Sequence, residues 1–457
     1  MTEAPFVLRG QPCSARGSAL FALVVYAASV VSGCATYTDH LAQASLAASS
    51  GNYTSAIDQV DNVLGVSSAD SLPDGWRGDR PLAALERGIL QQALGRYAGS
   101  ARDLSAAEQE LELLDLKTDP VGALGSYLYS DTVKTYKTPP SERLALNAMN
   151  LLNYLARGDL DGAAVEARRF QTMRDYLASE QIDASAPATL GTYLAGFVFE
   201  QRGEGDRALR YYDEALASGP LASLTTPVVH LARTNPYRGT RLPQVLTDAP
   251  GGKNEAGKGG DLLVVLNVGR VPHREPRRMP LGAAVGIAGT LFTGDLDVLK
   301  YSVTKVIVYP ELVGTPSSLG QASVRVDGGH VEVEQLTDFG SAIRAEYEQA
   351  KPKIIAAALT RLAARAAVAE GIRAGGKQES ALLGDLLSIL FESTLVALDR
   401  PDTRSWTMLP DRVLVARLPV SPGAHTVEVS FGGSGGRTVS VDVPKDGYAA
   451  VVVTEPR

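Results

Sequence analysis

Arg270, His273, Arg274, Arg277 and Arg278 crowd five basic groups into one short stretch, spaced by Pro272, Pro276 and Pro280. Proline fixes its own φ and restricts the residue before it, so the stretch 270–278 reads as a stiff loop presenting a basic patch. Such a patch suits lipid phosphates, glycan carboxylates or an acidic partner; an ordinary solvated loop is the plainer alternative. A second cluster, Asp402, Thr403, Arg404, Ser405 and Trp406, reads as a core anchor at Trp406 with Arg404 as its capping or salt-bridging neighbour. Direct ligand contact by Arg404 and Trp406 is the other reading. Other reactive patterns dissolve on inspection. The histidines at 40, 230, 273, 330 and 425 are scattered, and none has the spacing His-Glu-x-x-His that holds zinc. Gly252, Gly257 and Lys258 meet the spacing of a phosphate-binding loop up to the lysine. Gly259, however, stands where a Ser or Thr would hold Mg²⁺, and no strand precedes the run. Gly432-Gly433-Ser434-Gly435-Gly436 has the outer glycines of a nucleophile elbow but joins two strand patterns, so it reads as a turn. No catalytic residue, metal or cofactor is expected.

Composition bounds the class of protein without assigning an activity. The chain has 457 residues, 45% of them hydrophobic and 21% charged, with a formal charge of −7. That is globular composition with room for more than one core, and an acidic balance that gives no general attraction to nucleic acid. Cys13 and Cys34 are the only cysteines, which excludes a disulfide scaffold and any multi-thiolate metal site.

Arg9 and Arg16 precede an apolar run over residues 19–31 that is short for a membrane span and ends in Ser32 and Gly33, the layout of a secretory signal. Val31-Ser32-Gly33-Cys34 resembles the bacterial lipobox. The resemblance implies removal of residues 1–33 and a lipid, palmitate among its acyl chains, carried covalently on Cys34. The residue after the lipidated cysteine is Ala35 rather than Asp, which resembles release to the outer membrane in bacteria with two membranes. The expected location is therefore the outer membrane, lipid-anchored and facing the periplasm.

Residues 34–220 carry small and aromatic residues at the spacing of helix hairpins. The clearest unit is Gly196, Phe199, Gly203, Ala208, Tyr212, Ala215 and Pro220. Gly196 and Ala208 allow close helix approach, Phe199 and Tyr212 fill the space beside them, and Gly203 and Pro220 end the helices. The register recurs as Gly51, Tyr53 and Ala56; as Gly88, Gly95 and Tyr97; and as Gly158 and Ala163. These offsets resemble the tetratricopeptide repeat, whose stacked hairpins imply a concave groove for a protein or peptide segment. The turn glycines stand farther apart than in a tandem array, so inserts are expected at 65–81 and 117–140. The second insert holds Tyr127, Tyr129 and Tyr136, candidate anchors for a partner.

Residues 221–260, rich in Pro and then Gly, read as a linker. Beyond it, 261–457 mixes strands with two apolar helix-length segments, 354–372 and 380–398. Charges recur inside both segments, so they read as core helices rather than a membrane hairpin. Val324 and Val326, then Val331 and Val333, flank Asp327-Gly328-Gly329 as a hairpin. Alternating valines from Val413 to Val453 predict a closing β-sandwich. The phrase from Pro422 to Val427 resembles surface-layer β-domains of bacterial envelope proteins. The predicted class is α+β, a tetratricopeptide-like α-solenoid followed by a mixed domain of antiparallel sheet with two apolar helices. With the Asp-Thr-Arg-Ser-Trp motif, this arrangement resembles a family of uncharacterised bacterial lipoproteins, and that resemblance implies no activity. The expected function is a non-enzymatic scaffold or regulator of an envelope assembly machine serving cell wall, secretion or surface polysaccharide. Its repeat groove would hold an envelope protein or peptide segment, and its lipid would hold the membrane. A glycan- or anionic-lipid-binding protein using 270–278 is the alternative.

Overall fold

A computed structural model describes residues 36–113, 136–182, 184–248, 259–292, 305–317, 319–376, 401–432 and 435–457. Cys34, Tyr127, Tyr129, the glycine run 250–258 and the apolar segment 380–398 lie outside the described residues. The chain is mixed α+β, with helices in the N-terminal half and sheets in the C-terminal half.

The helical half opens with α1 (Tyr37–Ser49), α2 (Tyr53–Leu64), α3 (Arg80–Ala93) and α4 (Tyr97–Glu110). A two-residue pairing of β1 (Glu112–Leu113) with β2 (Lys137–Thr138) follows, then α5 (Pro140–Ala156), α6 (Leu160–Ser179), α7 (Ser185–Gln201) and α8 (Gly205–Ala215). Four hairpin turns share one device. Gly51, Gly95, Gly158 and Gly203 all hold φ between 71° and 77°, a left-handed conformation that glycine adopts without penalty. Each glycine N–H reaches the carbonyl three residues back, and the next N–H reaches five back, so the last carbonyls of each first helix are satisfied. Helices approach closely where side chains vanish. A Cβ on Gly88 would stand 2.7 Å from Leu104, and one on Gly196 would stand 2.4 Å from Tyr212. Ala56, Ala163, Ala208 and Ala215 are fully buried, and Phe199 stacks on Tyr211 with ring centres 5.4 Å apart.

Residues 221–248, expected as part of a linker, instead fold onto this half as a single 3₁₀ turn (Ala222–Leu224), α9 (Thr225–Leu231) and α10 (Leu242–Asp248). The preceding helix ends at Ala215 and its 3₁₀ turn at Ser218, ahead of Pro220, and Leu224, Val228 and Leu242 are buried beyond it. Carboxylates on α8 hold the segment: Asp206 accepts from Tyr237 N, and Asp213 accepts from Arg241 N and Leu242 N. Proline spacing signalled a break in the helices; apolar residues between the prolines still found a core to enter.

The C-terminal half comprises β3 (Gly260–Val268), β4 (His273–Pro280), α11 (Leu281–Ala288), β5 (Val306–Val313), β6 (Ala322–Val326), β7 (Gly329–Val331), β8 (Glu334–Asp338) and α12 (Phe339–Gly376). It closes with β9 (Arg412–Val420), β10 (Gly423–Phe431), β11 (Gly436–Val443) and β12 (Tyr448–Glu455). One sheet runs β12-β3-β9-β8 and another β11-β10-β6-β7, while β4 and β5 form a separate ribbon. The valine hairpin forms as expected, with Val324 opposite Val331 and the turn at Asp327-Gly328. In this half the strand pairing is antiparallel except for β12 with β3, and β1 with β2 in the helical half is also parallel. Helix α12 begins well before residue 354 and carries Pro352 within it. No described helix is long and apolar enough to cross a membrane.

The sheet β12-β3-β9-β8 is the middle layer of three. Leu262, Val264, Leu266 and Val268 face the other sheet, together with Val324, Val427, Val429 and Phe431. Leu263, Val265, Val413, Val415 and Val452 face the opposite way, into the helices. Both faces being covered, β3 reads as a near-continuous apolar run rather than an alternating one.

Close helix approach is directly testable. Gly196→Ala should destabilise the protein by about 1–3 kcal/mol through overpacking against Tyr212. Gly282→Ala in α11, where a Cβ meets nothing within 4 Å, should be neutral or stabilising by up to about 1 kcal/mol. Chemical denaturation of the two variants gives the comparison.

Candidate functional site

The inner helices α1, α3, α5 and α7, which would line a repeat groove, face the chain's own C-terminal half. Tyr53 donates to Glu455 and Tyr97 to the Val452 carbonyl, so two repeat tyrosines reach β12. Leu190 N on α7 donates to Thr337 on β8, and Ser141 on α5 gives both its N–H and its hydroxyl to Glu346 on α12. The groove expected to receive a partner is filled in cis.

Its tightest occupant is the segment 401–410, ten consecutive buried residues with neither helix nor strand. A segment of this kind has no ladder to satisfy its backbone, so its N–H groups need acceptors from elsewhere. Two helix glutamates supply them. Glu142 on α5 accepts from Trp406 N at 3.2 Å. Glu86 on α3 accepts from Thr407 N at 2.8 Å, Thr407 Oγ1 at 2.9 Å and Met408 N at 2.7 Å. Arg404 forks onto Asp402 at 2.8 and 2.6 Å, and lies over the ring of Tyr136, whose hydroxyl bonds Glu142. Trp406 is fully buried. The arrangement matches the core-anchor reading of Arg404 and Trp406, and it turns Tyr136 inward instead of toward a partner.

The basic stretch 270–278 is not one loop. Residues from 273 onward form a strand whose first part packs against the helical half and whose later residues 276–278 are exposed. Arg270 and Arg274 are 5% exposed. Arg270 donates to Ser45 and Ser49 on α1, and Arg274 donates to the Arg404 carbonyl at 2.7 Å. His273 contacts Thr315 Oγ1 and Glu275, and Arg277 pairs with Glu275 at 3.3 Å. Arg277 and Arg278 remain exposed. The predicted patch is therefore divided: two arginines bind the halves together and two face outward.

An open cleft of about 470 Å³ lies where α7–α9 meet β3 and β9, lined by Gln201, Thr226, His230, Asn235, Gly260, Asp261 and Arg417. Arg417 sits in its wall, its side chain only 4% exposed. It donates to Glu200 at 2.9 Å and Tyr212 Oη at 2.9 Å, pairs with Asp261, and rests 4.7 Å over the Phe197 ring. Burial disfavours its charge, but Asp261 and Glu200 outweigh burial and raise its pKa well above the ordinary value. Glu200, Asp261 and Asp446 outnumber Arg417 around the cleft, leaving it acidic. Among the described residues no group of three or more His, Cys, Asp or Glu could hold a metal ion.

Sequence reading missed Glu86, Glu142, Glu200, Asp261 and Arg417. One signal was present: Glu86 and Arg87 stand inside Leu82–Leu90, an otherwise apolar helix, and a charge there must be paired. Arg87 is paired, with Asp61 at 2.7 Å and Asp103 at 2.6 Å. Comparison with protein-family models, curated proteins and solved structures finds no match.

Burial lifts the Glu86 carboxyl from its usual 4.5 to about 8 against the pull of Thr407 and Met408. It also lifts Glu346 to about 7. A carboxyl with a raised folded-state pKa holds its proton more tightly when folded, so the stability it contributes is lost as pH rises through that pKa. The unfolding free energy should fall between roughly pH 5 and 8, and Glu86→Gln should flatten part of that slope. A free energy that climbs across this window would show that the donors outweigh burial. Separately, Arg417→Met should cost about 3–5 kcal/mol by stranding two carboxylates, with Arg417→Lys intermediate, as measured by denaturant unfolding.

Proposed function

We propose that this protein is a periplasm-facing outer-membrane lipoprotein, anchored through Cys34, that acts as a non-enzymatic scaffold or regulator of an envelope assembly machine. Its four glycine-turned hairpins are a degenerate tetratricopeptide-like array. The observation that carries the reading is the closure of the array's inner face by the chain's own 401–410 segment and central sheet. An array used in this way organises a body instead of capturing a peptide along its groove. The cleft beside Arg417 remains open, and its acidic lining suits a basic or hydroxyl-bearing side chain of a partner. The lipobox-like Val31-Ser32-Gly33-Cys34 supports the location. Glycan or lipid recognition by the whole 270–278 cluster has less support, because Arg270 and Arg274 are consumed inside the fold.

A crosslinking pull-down from native envelopes tests this. The wild-type chain should recover one complex, and Thr226→Arg with His230→Arg, both at exposed positions of the cleft and both opposing a basic group, should lose it. Recovery unchanged by the cleft substitutions would remove the cleft from the proposal. Cys34→Ser should abolish palmitate labelling and release the protein from the envelope.

A further inference from the structure

We infer that the far end of the β4–β5 ribbon and α11 form a membrane-apposed face that rests on anionic phospholipid headgroups. The inference deepens the lipoprotein reading and rests on it. Cys34 stands two residues before Thr36, which caps α1 in a reciprocal pair with Asp39. Helix α1 is itself locked into the core through Tyr37, Leu41, Ala44 and Ala48. Two residues of extended chain span at most about 7 Å. A lipid on Cys34 would therefore leave no tether, and the folded body would sit on the bilayer at the N-terminal end of α1.

The ribbon points to that end. Arg270 reaches Ser45 and Ser49, late in α1, whereas Thr38 at its start donates to the Arg274 carbonyl at 3.1 Å. β4 thus runs antiparallel beside α1. At about 3.3 Å per residue, residues 277–280 lie about 10–20 Å beyond Arg274, past the first turn of the helix. There Arg277 and Arg278 are exposed, with Glu275 shared by Arg277. The chain then enters α11, and no charged residue occurs between Arg278 and Phe292. Ile287 and Leu291 are 39% and 47% exposed. Paired arginines beside uncharged apolar surface match the headgroup and acyl boundary of an anionic bilayer.

The test uses the full lipidated chain reconstituted into phosphatidylethanolamine vesicles with and without phosphatidylglycerol. An environment-sensitive fluorophore is placed on Ile287→Cys, with Val165→Cys on α6 as the reference. With Cys34 alkylated and Cys13 removed, each variant carries one reactive thiol. Emission at 287 should shift to the blue and be quenched by lipid-borne quenchers, while 165 stays unchanged. In an unlipidated chain that begins at Ala35, Arg277→Glu with Arg278→Glu should weaken binding to phosphatidylglycerol vesicles by about tenfold or more. A lipidated chain with a silent probe at 287 overturns the inference. So does a shift that grows with protein concentration in detergent without vesicles, which would place a second copy on this face. A mass showing no lipid on Cys34 defeats the anchoring reading itself, and this inference with it.

Discussion

A four-stranded sheet that must be covered on both faces sets the rest of this structure. β3 and β12 lie at its centre and edge, and their side chains alternate between a sandwich core and a helical core. Neither half is complete without the other. Removing the helices would expose Leu263, Val265, Val413 and Val415 to water, and removing the sheet would expose the inner side of α1, α3, α5 and α7. Burial therefore links both halves into one cooperative body, although the chain reads as two compositional blocks.

Polar groups at the seam decide how the two halves fit. Apolar faces alone tolerate sliding, whereas a buried carboxylate with three or four donors has one position in which it is satisfied. Glu86 and Glu142 hold the segment 401–410 by its backbone, and Glu346 holds the start of α5. Gln92 joins Asn153 on α5 to Asn267 on β3 and Thr454 on β12. Burying these groups costs solvation, and the return is a defined register more than net stability. The upward shift of Glu86 and Glu346 is the residue of that cost.

The same packing decides which surfaces stay outward. The inner side of the helical half is spent on the chain's own sheet. Two surfaces are left outward: the acidic cleft at α7–α9 and the exposed part of the ribbon with α11. The two surfaces differ in chemistry, one an open acidic cleft, the other basic and apolar.

Local elements were legible in the sequence because their causes are local. Glycines at 51, 95, 158 and 203 mark turns that only a left-handed residue closes cheaply, and the valines around Asp327-Gly328 alternate as a hairpin must. Trp406 as an anchor was legible from its size alone. The basic stretch 270–278 was misread as one patch because packing against α1 and the 401–410 segment, not sequence proximity, decides which arginines are buried: Arg270 and Arg274 lie against them, and Arg277 and Arg278 lie farther along the ribbon. The segment 221–248 was misread because its prolines mask apolar residues that find a core only in three dimensions. By itself, the sequence determined the class, the hairpin turns and the strand faces, since φ preference and hydrophobic period act over a few residues. The tertiary structure alone decided that the inner side of the helices packs on the chain's own sheet, that Glu86 and Glu142 cap a segment hundreds of residues away, and that Arg417 joins Glu200 to Asp261. Pairing between distant charges leaves no periodic trace in a chain, because it depends on where the backbone has already gone.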